Sequence, residues 1–314
     1  MSSPAFCLMG PTASGKTDLA IHLHRLFPVE IISVDSVMVY RGMNIGSAKP
    51  ESNILAEAPH HLIDIREPYE VYSAAQFCED AAPLIAGVLK RGKIPLLTGG
   101  TMLYFHALQQ GLSGLPSADA DIRAQLMQRA AEEGWPVLHS ELLTVDPDAA
   151  RRIHPNDAQR IQRALEVFRL SGKPMSELQE NRQDSLEGIS VCNIVVAPDN
   201  RDCLHDRIAR RFEQMLEMGL VSEVEKLLAD DRVTPELPAM RSAGYRQVCA
   251  YLAGEISESE LPERGIIATR QLAKRQLTWL RHWGEETVWF DSENPDVLDG
   301  VAGLMEKTIR ELKK

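Results

Sequence analysis

The chain has 314 residues, 44% of them hydrophobic, which is enough for a filled core and roughly two domains. Its net charge of −11 argues mildly against nucleic acid as a partner, although such binding depends on a local basic surface rather than on the total. Five scattered cysteines without a C-x-x-C pair, an uncharged N-terminus and no apolar run near ~18 residues argue against disulfides, a zinc site, a signal peptide and a membrane span, so a soluble cytoplasmic protein is expected.

A first strand is expected over residues 5–9. It runs directly into "GPTASGKT" and then into an amphipathic helix over 18–27. Gly10, Pro11, Thr12, Ala13, Ser14, Gly15, Lys16 and Thr17 fit G-x-x-x-x-G-K-[ST], the glycine-rich phosphate cradle. In such a loop the backbone N–H groups point at the anion, Lys16 reaches the terminal phosphates and Thr17 can hold Mg²⁺. A β-branched run over 29–35 ends in Asp35, and "HHLIDI" offers a short strand. Ser73 with Gln76 makes a capping box for a helix reaching about residue 91. "KIPLLTGGT" gives a further buried strand that ends in Gly99, Gly100 and Thr101. This alternation reads as α/β: a P-loop NTPase-like parallel sheet flanked by helices.

From residue 112 the strand-like runs vanish, and helices are expected over 118–133, 136–144 and 156–170, the last behind a capping box of Asn156 and Gln159. The sheet returns at 189–199, long helices follow, and 287–291 is a last strand before a C-terminal helix. The expected division is therefore 1–111 as the first part of the P-loop core, 112–188 as an all-helical insertion, and 189–314 as the second part of the core.

Ligands of doubly wound sheets bind beyond the carboxyl ends of the strands, so Lys16 and Asp35 should face one crevice. Asp35 suits a general base there, with a Mg²⁺-linked role or a helix cap as alternatives. Thr101 could cap its helix and still present its hydroxyl to the crevice. Residues 29–35 and 189–199 are both weak candidates for a Walker B strand, so a motor or switch is poorly supported. Residues 268–283 contain no acid. On a helical wheel Arg270, Lys274, Arg275, Arg281 and His282 occupy one side, opposite Leu272, Ala273, Leu277, Trp279 and Leu280. That stripe favours an anionic partner. In the insertion, Ile161, Ala164, Leu165 and Phe168 form the expected buried face, and Gln159, Gln162, Arg163 and Glu166 the exposed one. With Arg160, those polar groups suit nucleic acid. Arg207 and Arg211, four residues apart, could clamp one anion or pair with nearby glutamates. His60 and His61 lack a third ligand at metal spacing and read as structural. The residues alone leave two reactions open: a P-loop kinase acting on a small metabolite, or transfer of a carbon chain with diphosphate as leaving group. A non-catalytic RNA-binding NTP switch is the reading from another class.

"GPTASGKT", "ISVDSVMVYRGMNIGSAKP", "HHLID", "YSAAQF", "LLTGGTMLYF", "QRIQRALEV" and "MRSAGYRQV" occur in that order. Together they resemble the tRNA dimethylallyltransferase (tRNA isopentenyltransferase) family from the P-loop to near the C-terminus. The resemblance implies that the cradle holds the diphosphate of dimethylallyl diphosphate, with Mg²⁺. The prenyl group goes to the exocyclic N6 amine of the adenosine 3′-adjacent to the anticodon, in tRNAs reading codons that begin with U. Asp35 matches the family's general base, and Thr101 the residue that hydrogen-bonds the same amine. Residues 10–17 and Arg211 match diphosphate contacts. Asp35, Ser36, Val37, Met38, Thr101, Arg123, Gln159, Arg160, Ile161, Gln162 and Arg163 match positions facing the tRNA anticodon stem-loop. Arg241 and Arg246 in "MRSAGYRQV", with Arg270, Lys274 and Arg281, complete the expected tRNA surface. Met38 stands where many members carry Gln, and Asn44 where many carry Asp. Neither a membrane nor an obligate protein partner is implied.

Overall fold

A computed structural model describes residues 3–180, 182–183 and 186–312. It divides into two compact units, Met1–Ala107 with Leu186–Lys314, and Leu108–Ser185. In chain order the first half of the core gives β1 (Ser3–Met9), α1 (Lys16–Leu26), β2 (Val29–Val34), α2 (Ser52–Glu57), β3 (His60–His61), α3 (Ala74–Lys90), β4 (Ile94–Gly99) and α4 (Met102–Gln110). Next come β5 (Leu112–Ser113), α5 (Ala120–Glu133), α6 (Trp135–Val145), α7 (Pro147–Arg152), α8 (Ala158–Ser171), α9 (Met175–Glu180) and β6 (Arg182–Gln183). The chain closes with β7 (Ile189–Ala197), α10 (Arg201–Glu217), α11 (Leu220–Leu228), α12 (Tyr245–Leu252), α13 (Leu261–Arg281), β8 (Thr287–Asp291) and α14 (Val297–Leu312).

Six strands form one parallel sheet in the order β3-β2-β4-β1-β7-β8. Helices cover both faces of such a sheet, which is why its inner strands read as continuous apolar runs instead of alternating ones. Phe6, Leu8, Ile31, Leu96 and Ile194 are fully buried, and α1 (Leu19, Leu23) and α14 (Val301, Met305) close over one face. From β1 the chain builds β2, β3 and β4 on one side and then crosses to β7 on the other, so the crevice opens at the carboxyl end of β1. Gly10 stands there, and a Cβ on it would lie 2.2 Å from the Val196 carbonyl oxygen. No helix among the described residues is long and apolar enough to cross a membrane.

The insertion has its own core, built on Leu126, Leu138, Leu142, Ile161 and Leu165. It departs from the sequence expectation in three ways. A two-residue antiparallel pair, β5 with β6, joins the helices, and α7 and α9 are additional. Helix α8 starts behind Asp157, whose carboxylate accepts from the Arg160 amide, so the proposed Asn156–Gln159 box is not its cap. Glu166, expected on the exposed face, is completely buried. Its carboxylate accepts from Arg123 Nε at 2.8 Å, Arg163 Nη1 at 2.7 Å and the Asp119 amide at 2.8 Å. A wheel assigns faces by apolarity alone and cannot foresee an acid drawn inward by two guanidinium groups. Burial pushes the Glu166 carboxyl up, but those bonds outweigh it and hold it below the usual range.

A group with a depressed native pKa stabilises above its unfolded pKa and loses that contribution as pH falls through the native one. The insertion should therefore weaken at acid pH. Glu166→Ala should cost about 3 kcal/mol, the low end for a broken buried pair because the partly exposed Arg123 and Arg163 can turn to water. Thermal unfolding of the two proteins between pH 3 and 7 checks this, and equal melting curves would contradict it.

Candidate active site

The cradle turns through Ala13 and Gly15, at φ 63° and 83°, before entering α1. Lys16 Nζ donates to the Pro11 carbonyl at 2.5 Å and to Ser14 Oγ at 3.3 Å, so its ammonium is folded into the loop. Gln276 on α13 holds the other side. Its Oε1 accepts from the Thr12 amide at 2.9 Å, and its Nε2 donates to the Gly100 carbonyl at 2.7 Å. A Cβ at Gly100 would meet that Nε2 at 2.5 Å, so only glycine lets the strap close. One buried amide thereby ties the P-loop to the turn carrying Thr101.

Asp35 and Thr101 follow the adjacent parallel strands β2 and β4. Asp35 Oδ1 accepts from the amides of Val37 (2.8 Å) and Met38 (3.1 Å), a turn that fixes the carboxylate at the mouth of the crevice. Thr101 Oγ1 accepts from the Ser36 amide at 3.0 Å and donates to Ser36 Oγ at 3.3 Å. Its hydroxyl thus faces the Asp35 turn. Met38 turns its sulfur back toward Ser33 Oγ, at 3.9 Å. The following loop is anchored by Glu223, whose carboxylate accepts from the amides of Asn44, Ile45 and Gly46 and from the Tyr245 hydroxyl at 2.6 Å. Asn44, in turn, accepts from Lys49, which also pairs with Asp64.

A cavity of about 270 Å³ joins these pieces. Helix α10 contributes Ile208, Arg211, Phe212 and Met215, at i, i+3, i+4 and i+7, and so presents one face. Helix α13 contributes Leu272, Arg275 and Gln276. Cationic and apolar groups are therefore interleaved along one slot, with Asp35 at its rim. Arg207 turns away to pair with Glu293 and approach Ser292, which leaves Arg211 as the arginine of that pair facing the cradle. Burial and the positive charge of Arg211 push Lys16 down to about 7, while Asp35 opposes them. Burial likewise lowers Arg211, against the pull of Asp35 and Asp18. Neither cation makes an ion pair among the described residues.

The expected tRNA residues divide. Within the insertion, Gln159 and Arg160 are exposed, whereas Arg123 and Arg163 are engaged with Glu166, and Gln162 donates to the Arg123 carbonyl. Ile161 is fully buried, which removes its side chain from any surface. In the core, Arg241 lines the cavity and Arg246, Lys274 and Arg281 are exposed. Arg270, expected on an open stripe, is partly buried, with its Nε lacking a partner among the described residues. Trp279, expected to be buried, is 38% exposed and packs edge-on against His106. Sequence reasoning missed Gln276, Glu223 and the cavity position of Arg275. Gln276 carried a signal, since it interrupts the apolar arc of α13 with a hydrogen-bonding group.

An anion entering between Lys16 and Arg211 should restore the lysine's proton, so binding takes up a proton where free Lys16 is already deprotonated, above about pH 7. The affinity for inorganic diphosphate should then fall more steeply between pH 7 and 9 in the native protein than in Lys16→Met. Calorimetry in buffers of different ionisation heat measures the uptake, and parallel slopes for the two proteins would contradict it.

The profile of the IPP transferase family (IPPT) matches residues 38–283. Among solved structures, the full-length tRNA isopentenylpyrophosphate transferase of Bacillus halodurans is 36% identical with a TM-score of 0.72, over 99% of this chain and 98% of that one. The tRNA delta(2)-isopentenylpyrophosphate transferase of Staphylococcus epidermidis is 31% identical with a TM-score of 0.69, over 98% and 99%. A eukaryotic dimethylallyltransferase acting on tRNA is 26% identical with a TM-score of 0.79, over 97% of this chain and 78% of that one. A parallel sheet with a phosphate cradle at its switch point, a strand-end acid beside it and a family profile over most of the sequence agree: the chain belongs to the IPP transferase family.

Proposed function

We propose that the protein transfers the dimethylallyl group of dimethylallyl diphosphate to the N6 amine of the adenosine 3′-adjacent to the anticodon, in tRNAs reading U-starting codons, and releases diphosphate. The observation that carries this reading is the interleaved slot. Arg211 and the cradle suit a diphosphate, while Ile208, Phe212, Met215 and Leu272 beside them suit an apolar chain. A nucleotide triphosphate has no such tail.

An exocyclic adenine amine is a poor nucleophile because its lone pair is delocalised into the ring. The allylic C–O bond breaks as the N–C bond forms, and the amine proton passes to Asp35. With Oδ1 held by two amides, the other carboxylate oxygen is free for that proton. The Thr101 hydroxyl, already oriented by Ser36, can hydrogen-bond the same amine. Lys16, Arg211 and the loop amides stabilise the departing diphosphate. Thr17 fits a Mg²⁺ contact, because its hydroxyl has no partner among the described residues and Mg²⁺ takes few protein oxygens when phosphates supply the rest. Bound there, the ion would neutralise charge on the diphosphate.

The reacting base lies in a stacked loop and must be flipped out to reach the crevice. The insertion supplies the grip on the anticodon stem-loop, with Gln159 and Arg160 as exposed groups; Arg123 and Arg163 shape that surface through Glu166. In the core, Arg241 and Arg275 line the cavity that holds Asp35. A tRNA substrate supports a cytoplasmic location for the enzyme.

Incubation with labelled dimethylallyl diphosphate and unmodified tRNA should put label into the RNA, and label that never enters it would overturn the reading. Asp35→Ala should bind tRNA nearly as the native protein does and lose at least ~10² in turnover. A loss explained wholly by weaker binding would remove the base assignment. Arg160→Ala should lower the salt dependence of tRNA binding by about one counterion, measured between 50 and 200 mM salt. An unchanged slope would take Arg160 out of the interface.

A further inference from the structure

The slot's walls differ in how far they can yield. Met215 and Leu272 are half-buried aliphatic side chains with several rotamers. Phe212 is 3% exposed and backs onto main chain. A Cβ built on Gly265 would lie 1.9 Å from its Cζ and 2.2 Å from its Cε1, and one on Gly244 would lie 3.6 Å from its Cε2. The ring therefore occupies the space that a side chain at residue 265 would otherwise fill, lies flat on that backbone, and has Gly244 in ordinary contact beside it. Close-packed interiors do not deform smoothly to admit extra carbons.

We infer that Phe212, seated against Gly244 and Gly265, is the gauge that limits the slot to a five-carbon prenyl chain. The inference rests on the prenyl diphosphate reading of the slot. Its chemistry is one of volume. Removing a six-carbon ring from a wall backed by Gly265, a residue without a side chain, opens space for one more five-carbon isoprene unit. A methyl group at residue 265 does the reverse, driving the ring forward into the slot. Arg211 is adjacent to Phe212 on α10 but holds the diphosphate end, so changes at the ring should alter chain selection while leaving diphosphate affinity in place.

The test compares dimethylallyl and geranyl diphosphates as donors to unmodified tRNA. Phe212→Ala should raise the geranyl-to-dimethylallyl ratio of kcat/KM at least tenfold, and Phe212→Leu should raise it less. Gly265→Ala should raise KM for dimethylallyl diphosphate at unchanged affinity for inorganic diphosphate. Adding Phe212→Leu to it should restore KM, a rescue that general destabilisation would not produce. If Phe212→Ala fails to fold, the ratio in Phe212→Leu and the rescue decide the matter. If native protein prenylates tRNA and folded variants that bind inorganic diphosphate keep the native ratio, the gauge is wrong and the proposed activity stands. If native protein transfers no prenyl group from either donor, the proposed activity itself fails.

Discussion

Lys16 and Arg211 repel each other across the cradle without an acid paired to either, and Asp35 is the opposing charge that acts on both. Two desolvated cations repel each other and cost free energy wherever no anion separates them. Gly10 brings β1 within contact of β7, Gln276 straps the loop to the Gly100 turn, and Glu223 pins residues 44–46. The site is a charged socket held open by its frame, and a polyanion is what relieves it.

The frame also explains which parts were legible in the sequence. The cradle, Asp35 and Thr101 sit where a strand gives way to a turn, and their residue types follow from local backbone demands that a short window reveals. The parallel sheet was readable for the same reason, since β1, β2 and β4 are largely apolar runs between helices. Gln276 and Glu223 act on backbone more than 170 residues away, and no local pattern announces such a partner. The wheel of α13 separated apolar from basic residues correctly but assumed that the apolar arc met only core. Part of that arc faces the cavity, which brings Leu272 and Gln276 into the site with Arg275 at the edge, and leaves Trp279 in contact with water.

In the insertion the same habit of reading produced the clearest miss. Charges were assigned to the surface, yet Glu166 organises three donors from inside. Arg123 and Arg163 are consequently spoken for, and their contribution to an outer surface is one of shape as much as of charge. Arg160, 67% exposed and 3.5 Å from Asp157, keeps its reach. Resemblance to a family pointed to the segment; packing decided which of its cations remain available.

The strap at Gln276 has an implication for how the enzyme comes into being. The amide it accepts from lies 264 positions earlier in the chain. During translation the cradle, the acid and the threonine all leave the ribosome long before the side chain that locks them together. A nascent or truncated polypeptide ending short of residue 276 would carry every reactive group in an unfastened arrangement. The fastening of cradle to turn therefore arrives late in synthesis, after every group that it holds.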